Sequence, residues 1–304
     1  MRFLAGETLA QGIDRVVAEQ FAVALAIAEA APDRQAIAVH STRKALKRLR
    51  AVLRLVRDTI SHDCYHTDNQ VLKLVAAELG AVRDTWVMAE VLDRLLPDDL
   101  ALAPSVRKLE TRLEERFHSE SQALLENEAH MSSIIDQLHN VRERSKRWSR
   151  RAGEANLPLP HEFASIAPGL QRVYKRGRRG MRIVADSPTD TLLHVWRKRA
   201  KYLRHQIEAL NVLDPVTMMR YELELEQLTD LLGDDHDLAV LVGRFNTDQA
   251  LIEGVDRDAV LTAIGRQRHD LQSRAVDLGR TFFAAPSTDF IALVEDLWGD
   301  REAF

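Results

Sequence analysis

The sequence predicts an all-α chain made of two helical halves that repeat one another. Three observations carry that expectation. Apolar residues recur at helical spacing through nearly every segment, as in helices with one buried stripe. Only 13 glycines and 9 prolines punctuate 304 residues, and Pro32, Pro97, Pro158, Pro188, Pro215 and Pro286 fall where those patterns stop. Aromatics make up 6%, few for a β-rich chain, and no stretch alternates apolar and polar residues long enough for a sheet.

The elements follow in order. A first helix covers about 7–30, with Val16, Val17, Phe21, Leu25 and Ala28 on one side. Pro32-Asp33 opens a second at about 33–60. A third runs from about 64 to 95 and stops at Pro97, and two more cover about 103–127 and 129–151. The stretch 153–160, with Pro158 and Pro160, reads as a linker between halves at 1–152 and 161–304. Helices resume at about 162–184, 190–212, 216–246, 256–283 and 287–299.

A composition of 45% hydrophobic and 29% charged residues fits a globular chain with a real core. The net charge is -4 and the pI about 6.3, so a protein that grips nucleic acid by overall basicity is excluded. Any anion site must come from local clustering. The single cysteine, Cys64, forms no disulfide within the chain and suits a reducing cytosol. The N-terminal stretch has no apolar run of the kind a secretory leader needs, and no segment reads as a membrane span.

The clustering sits in an internal repeat. His40-Ser41-Thr42-Arg43-Lys44-Ala45-Leu46-Lys47-Arg48-Leu49-Arg50 aligns with His194-Val195-Trp196-Arg197-Lys198-Arg199-Ala200-Lys201-Tyr202-Leu203-Arg204, sharing H-x-x-R-K-x-x-K-x-L-R. A second signature follows each copy: Leu79-Gly80-Ala81-Val82-Arg83-Asp84 and Leu232-Gly233-Asp234-Asp235-His236-Asp237. Two motifs in the same order at nearly the same separation imply duplication of a helical unit, with the copies related by a pseudo-two-fold axis.

At 100° per residue, Arg43, Lys44, Lys47, Arg50 and Arg54 fall within about 80° of His40. Leu46, Leu49, Val52, Leu53 and Val56 take the opposite face. From His40 through Arg57 there are seven Lys or Arg residues and no acid. A merely solvated face mixes signs, because like charges at i,i+4 repel by roughly 0.2–0.5 kcal/mol each. An anionic ligand would offset that repulsion. The second copy gives a stripe of His194, Arg197, Lys198, Lys201, Arg204 and His205, with Arg199 off the stripe and expected to pair with an acid. A third basic helix adds Arg172, Lys175, Arg176, Arg179 and Arg182, with Gly177 and Gly180 inside it for close packing or close ligand approach. Histidines in these stripes would add charge below about pH 6.5.

This paired pattern resembles the CHAD family (conserved histidine α-helical domain), over roughly residues 5–300. The resemblance implies two four-helix bundles joined with pseudo-two-fold symmetry around a basic cavity, binding of inorganic polyphosphate, and association with polyphosphate granules. It implies a site lined by His40, Arg43, Lys44, Lys47, Arg48, Arg50 and Arg54 together with His194, Arg197, Lys198, Lys201 and Arg204, and helped by the basic helix around Arg172–Arg182. Two positions depart from the pattern. His236 stands where Leu-Gly-x-x-Arg-Asp expects arginine, and Tyr202 replaces the second basic residue of the Lys-Arg pair, which would weaken that end.

Other readings are set against this one. Tyr221-Glu222-Leu223-Glu224-Leu225-Glu226 looks like the E-x-E-x-K signature of triphosphate tunnel enzymes, but it ends in Glu and lies in a helix, so it reads as a solvated face. His236 among Asp234, Asp235 and Asp237 does not converge as metal ligands do, because neighbours on a helix diverge. Asp84 and Asp237 are expected to orient arginines of the repeat. His40 as a phosphotransfer histidine lacks a companion kinase or receiver segment. No G-x-x-x-x-G-K-[ST] loop, G-x-S-x-G, C-x-x-C or H-E-x-x-H occurs, so no cofactor, metal or enzymatic activity is expected. Few aromatics interleave with the basic stripes, which favours polyphosphate over nucleic acid as partner. The rivals are another polyanion or an acidic protein partner for the same faces.

Overall fold

The computed structural model describes residues 1–30, 34–80, 88, 91–92, 102–125 and 127–302. Among them the fold is all-α, with eleven α-helices: α1 (Leu9–Leu25), α2 (Gln35–Leu55), α3 (His62–Glu78), α4 (Ala103–Leu125), α5 (Glu128–Ser145), α6 (Ala167–Asp186), α7 (Asp190–Ala209), α8 (Pro215–Thr247), α9 (Gln249–Ile252), α10 (Arg257–Phe282) and α11 (Ser287–Glu302). Side chains start most of them. Thr8 and Gln11 close a reciprocal capping box on α1. Ser61, Thr189, Asp214 and Asp256 each accept a backbone N–H at the first turn of α3, α7, α8 and α10.

Two cores hold the helices. The larger runs from Phe3 to Trp298 and takes in the buried faces of α1, α2, α3, α5, α6 and α7, with the first half of α8. The core side expected for α2 is buried: Leu46, Leu49, Val52, Leu53 and Val56 are all at most 1% exposed. The second core joins Leu102, Val106, Leu109 and Leu113 to Leu238, Leu241, Phe245, Val260 and Ile264. α8, with 33 residues and a length of about 50 Å, spans both. Each core draws on both halves of the sequence.

The region 146–160 corrects the expected helix to residue 151. α5 ends at Ser145, and the chain then forms a short antiparallel hairpin, β1 (Arg150–Arg151) with β2 (Glu154–Pro158). Gly153 turns it with φ of 80°. The hairpin is docked, not free. Ala152 N–H donates to Thr59 O at 3.0 Å, and Leu159 N–H to Ser149 O at 2.8 Å. Trp148, fully buried, donates its indole N–H to Asp68 at 2.9 Å, and Arg144 Nε reaches the other Asp68 oxygen at 2.6 Å.

Glycine positions α6. A Cβ built on Gly169 would lie 2.6 Å from the Arg54 carbonyl oxygen and closer still to that of Leu55. The first turn of α6 therefore abuts the last turn of α2, the positive end of one helix dipole against the negative end of the other. Gly177 and Gly180 are also packing positions: an added Cβ would meet the Phe283 ring at 2.7 Å or Trp196 at 3.0 Å.

Candidate basic site at the crossing of α2 and α7

The two motif helices cross each other. Arg48 Nη2 donates to Glu208 Oε1 at 2.7 Å, Gln206 Nε2 to Ala51 O at 3.2 Å, and the Arg54 guanidinium lies 3.9 Å from the Tyr202 ring centroid. Numbers rise along α2 as they fall along α7, so the helices run antiparallel. Their motif cations gather at two ends of this contact.

The first end is a cavity of about 290 Å³. His40, Arg43, Lys44, Lys47 and Arg48 of α2 line it with Lys201, Arg204, His205 and Glu208 of α7 and Glu222, Glu226 and Asp230 of α8. Six of the predicted Lys and Arg residues and His40 are thus together, but four carboxylates face them. Arg204 is hydrogen-bonded to Glu226. Glu208 accepts from His205 Nδ1 at 3.0 Å as well as from Arg48. Burial alone would raise the Glu208 carboxyl, but the His205 hydrogen bond and Arg48 outweigh it and hold the group down at about 2. Sequence periodicity does not reveal these acids as part of the site. Glu222 and Glu226 belong to the stretch read as a solvated face; it is helical as expected, yet it turns those carboxylates onto the cations.

The second end holds Arg50, Arg54 and Lys198. Arg54 donates from Nη1 to Arg50 O at 2.8 Å and from Nη2 to Asn69 Oδ1 at 2.9 Å, and Arg50 Nε donates to the same Asn69 oxygen at 3.3 Å. Arg199 corrects the expectation that it pairs with an acid. The charged neighbours that act on it are Arg176 and Arg54, and burial first, then those charges, lowers its pKa. Tyr202, in place of the second basic residue, presents a buried ring on which Arg54 lies.

The motif arginines Arg43 and Arg197 each lie beside the glycine of a Leu-Gly pair. Arg43 Nη1 donates to Ala76 O at 3.0 Å and lies 2.5 Å from where a Gly80 Cβ would be. Arg197 Nη2 lies 3.4 Å from the corresponding point on Gly233. Gly80 thus makes room for Arg43, whereas a Cβ on Gly233 would be in ordinary contact with Arg197. Residues 81–84 of the first signature, with Asp84, lie outside the described residues. In the second signature Asp235, 1% exposed, holds an arginine from outside the repeat: Arg268 Nε at 2.9 Å, beside Gln272 Nε2 at 2.7 Å.

The third basic helix contributes unevenly. Arg172 pairs with Asp58 at 2.5 Å. Lys175, Arg176, Arg179 and Arg182 are exposed, and Arg176 reaches toward Arg199.

His194 lies against His236 with the rings tilted by 34° and their centroids 4.5 Å apart. Burial, then the charges of Lys198, Arg197 and Lys201, pushes His194 down to about 4. Burial, then Arg197, His194 and Lys201, pushes His236 down to about 3 against the pull of Asp190. His194 is therefore neutral well below pH 6.5, contrary to the charge expected of it. The unfolded chain binds more protons than the folded one in this range, so stability falls as the pH drops from 6.5 toward 4. An anion beside the rings would raise both values. An anion bound there would then be accompanied by proton uptake and would bind more tightly as the pH falls from about 5.5 toward about 4. Calorimetry near that pH in two buffers of different ionisation enthalpy measures the uptake; none would place the rings away from the ligand.

Among the described residues no group of three or more His, Cys, Asp or Glu is placed to hold a metal ion, and no helix is long and apolar enough to cross a membrane. The CHAD domain family model matches residues 15–246. The crystal structure of the CHAD domain from the plant Ricinus communis superposes with a TM-score of 0.69 at 19% identity, covering 94% of this chain and 95% of that one, a likeness of fold. No curated protein matches the chain significantly.

Proposed function

Because the chain belongs to the CHAD domain family, we propose that it binds inorganic polyphosphate along the cationic crossing of α2 and α7. It would hold the polymer without cutting it, and so tether itself to polyphosphate granules. One observation supports this most: two helices with the same H-x-x-R-K-x-x-K motif cross so that the cations of both meet at the same contact. A linear polyphosphate carries about one negative charge per phosphate, and Lys and Arg along such a strip would each supply a charge-assisted hydrogen bond of roughly 1.5–3 kcal/mol.

The aromatic side chains favour polyphosphate over nucleic acid. Tyr202 and Tyr65 lie among the arginines, but both are buried, with Arg54 over one ring and Arg57 over the other at 4.5 Å. Trp196 is fully buried. These rings offer no open face for a base, and base stacking is worth about 1–3 kcal/mol per base where it exists. Competition of labelled polyphosphate against single-stranded RNA of matched charge tests the reading. RNA should compete at least about tenfold more weakly. Equal or better competition by RNA would replace polyphosphate with nucleic acid as the ligand.

A further inference from the structure

The two ends of the α2–α7 crossing differ in charge, and the repeat shows where the difference arises. With the halves aligned on Leu79-Gly80 and Leu232-Gly233, Glu222 of α8 corresponds to Asn69 of α3, Glu226 to Lys73, and Asp230 to Ala77. With the motifs aligned on His40 and His194, Arg48 corresponds to Tyr202 and Arg54 to Glu208. Four of these five differences add negative charge at the first end or remove it from the second; the exception is Arg48, whose counterpart at the second end is the neutral Tyr202.

The contacts follow the alignment. At the first end Arg204 is paired with Glu226, and Arg48 with Glu208. At the second, Arg50 occupies the position aligned with Arg204 but meets the neutral amide of Asn69, and Lys73 stands one turn further along α3 where the other half has Glu226. The pair aligned with Arg48–Glu208 is Tyr202–Arg54, in which a ring supports the guanidinium without neutralising it. Arg54 uses one donor on Arg50 O and one on Asn69 among the described residues. A guanidinium has five N–H donors, so three are left for other acceptors.

Arg199 of α7 and Arg176 of α6 add to the same end, brought there by the close approach at Gly169. The neighbours that act on Arg50, Lys198 and Arg199 are other cations and two tyrosines; burial first, together with the cations, makes each easier to deprotonate than usual, against an opposing effect of the tyrosines on Arg50 and Arg199. Partly buried like charges without a counter-ion are costly, and an anion would relieve them. The first end supplies its own anions.

We infer that the polymer lying along the crossing is anchored most tightly at the Tyr202 end, where Arg50, Arg54, Arg176, Lys198 and Arg199 hold a phosphoryl group, while Glu222, Glu226 and Asp230 weaken, without abolishing, the hold of the lysines at the opposite end. This rests on the polyphosphate reading and adds to it a direction, a tyrosine platform and two further residues, Lys73 and Arg199.

The test exchanges charge between the ends. Wild type, Lys73→Glu, Arg176→Gln/Arg199→Gln and Glu226→Lys are titrated with tripolyphosphate and with long-chain polyphosphate. Lys73 is exposed, so its replacement does not disturb the fold. Loss of one phosphate contact corresponds to about tenfold, and two to about 100-fold. Lys73→Glu should weaken binding by about tenfold and the double variant by about 100-fold, while Glu226→Lys should tighten it or add a second site. A wild type that binds while Lys73→Glu and the double variant bind just as well overturns this inference and leaves the polyphosphate reading standing. A wild type that binds neither polymer overturns the polyphosphate reading, and this inference with it.

Discussion

Gly169→Ala should lower the stability of the fold by about 3 kcal/mol, a fall in melting temperature of roughly 5–10 °C. The Cβ has nowhere to go. Its nearest neighbours are backbone carbonyl oxygens of Leu55 and Arg54 at the end of α2, not the tip of a flexible side chain. Relief requires α6 to move off α2, which carries Arg172 and Arg176 away from Arg54 and Arg199. The same variant should therefore weaken phosphate binding as well. Gly243 in α8 and Gly265 in α10 provide the contrast, because a Cβ at either meets nothing within 4 Å. There Ala should stabilise by about 0.5–1 kcal/mol, through helix propensity alone. Thermal melts of the three variants decide the matter. If Gly169→Ala melts with Gly243→Ala, the contact between the two helix ends does not govern their placement.

The second large effect is expected on binding. Lys44→Gln/Lys47→Gln/Lys198→Gln/Lys201→Gln should lose at least about 1000-fold in polyphosphate affinity while its melting temperature stays near that of wild type. Lysines are the residues to change because the arginines also build the fold. Arg43 is tied to the Ala76 carbonyl and fills the space over Gly80, Arg197 lies over Gly233, and Arg48 is held by Glu208. Alanine at those positions would confound lost charge with lost packing. Lys44 and Lys198 are exposed, and Lys47 and Lys201 are partly buried near the crossing. Retention of wild-type affinity by the folded quadruple variant would show that phosphate is gripped elsewhere.

Much of the fold is legible in the sequence. The buried face of α2, the caps at Thr189 and Asp214, and the break at Pro188 all follow from local pattern, because a helix writes its buried stripe at fixed spacing. The hairpin at 150–158 is not legible that way. What holds it is distant: Thr59 takes the Ala152 N–H, and Asp68 anchors Trp148 across 80 residues. The site divides along the same line. Each basic stripe can be read from its own helix, and the repeat pairs the two stripes. The partners cannot be read so. A wheel for α7 alone places Arg199 off the stripe, and only the approach of α6 and α2 shows what it faces. The same holds for Glu222 and Glu226, solvated by the pattern of α8 and turned onto Arg204 and its neighbours by tertiary packing. The charge difference between Glu226 and Lys73 is nonetheless written in the chain itself: aligning the two halves position by position, beyond their shared motif, exposes it.

Calorimetric titration of the wild-type chain with long-chain polyphosphate, at about 50 mM and about 200 mM salt, tests the central claim most directly. A grip made of several Lys and Arg contacts predicts tight binding at the lower salt that weakens at least about tenfold at the higher, as counter-ion release requires. No binding at either salt, or binding indifferent to salt, would contradict a polyphosphate site built from the basic faces of α2 and α7.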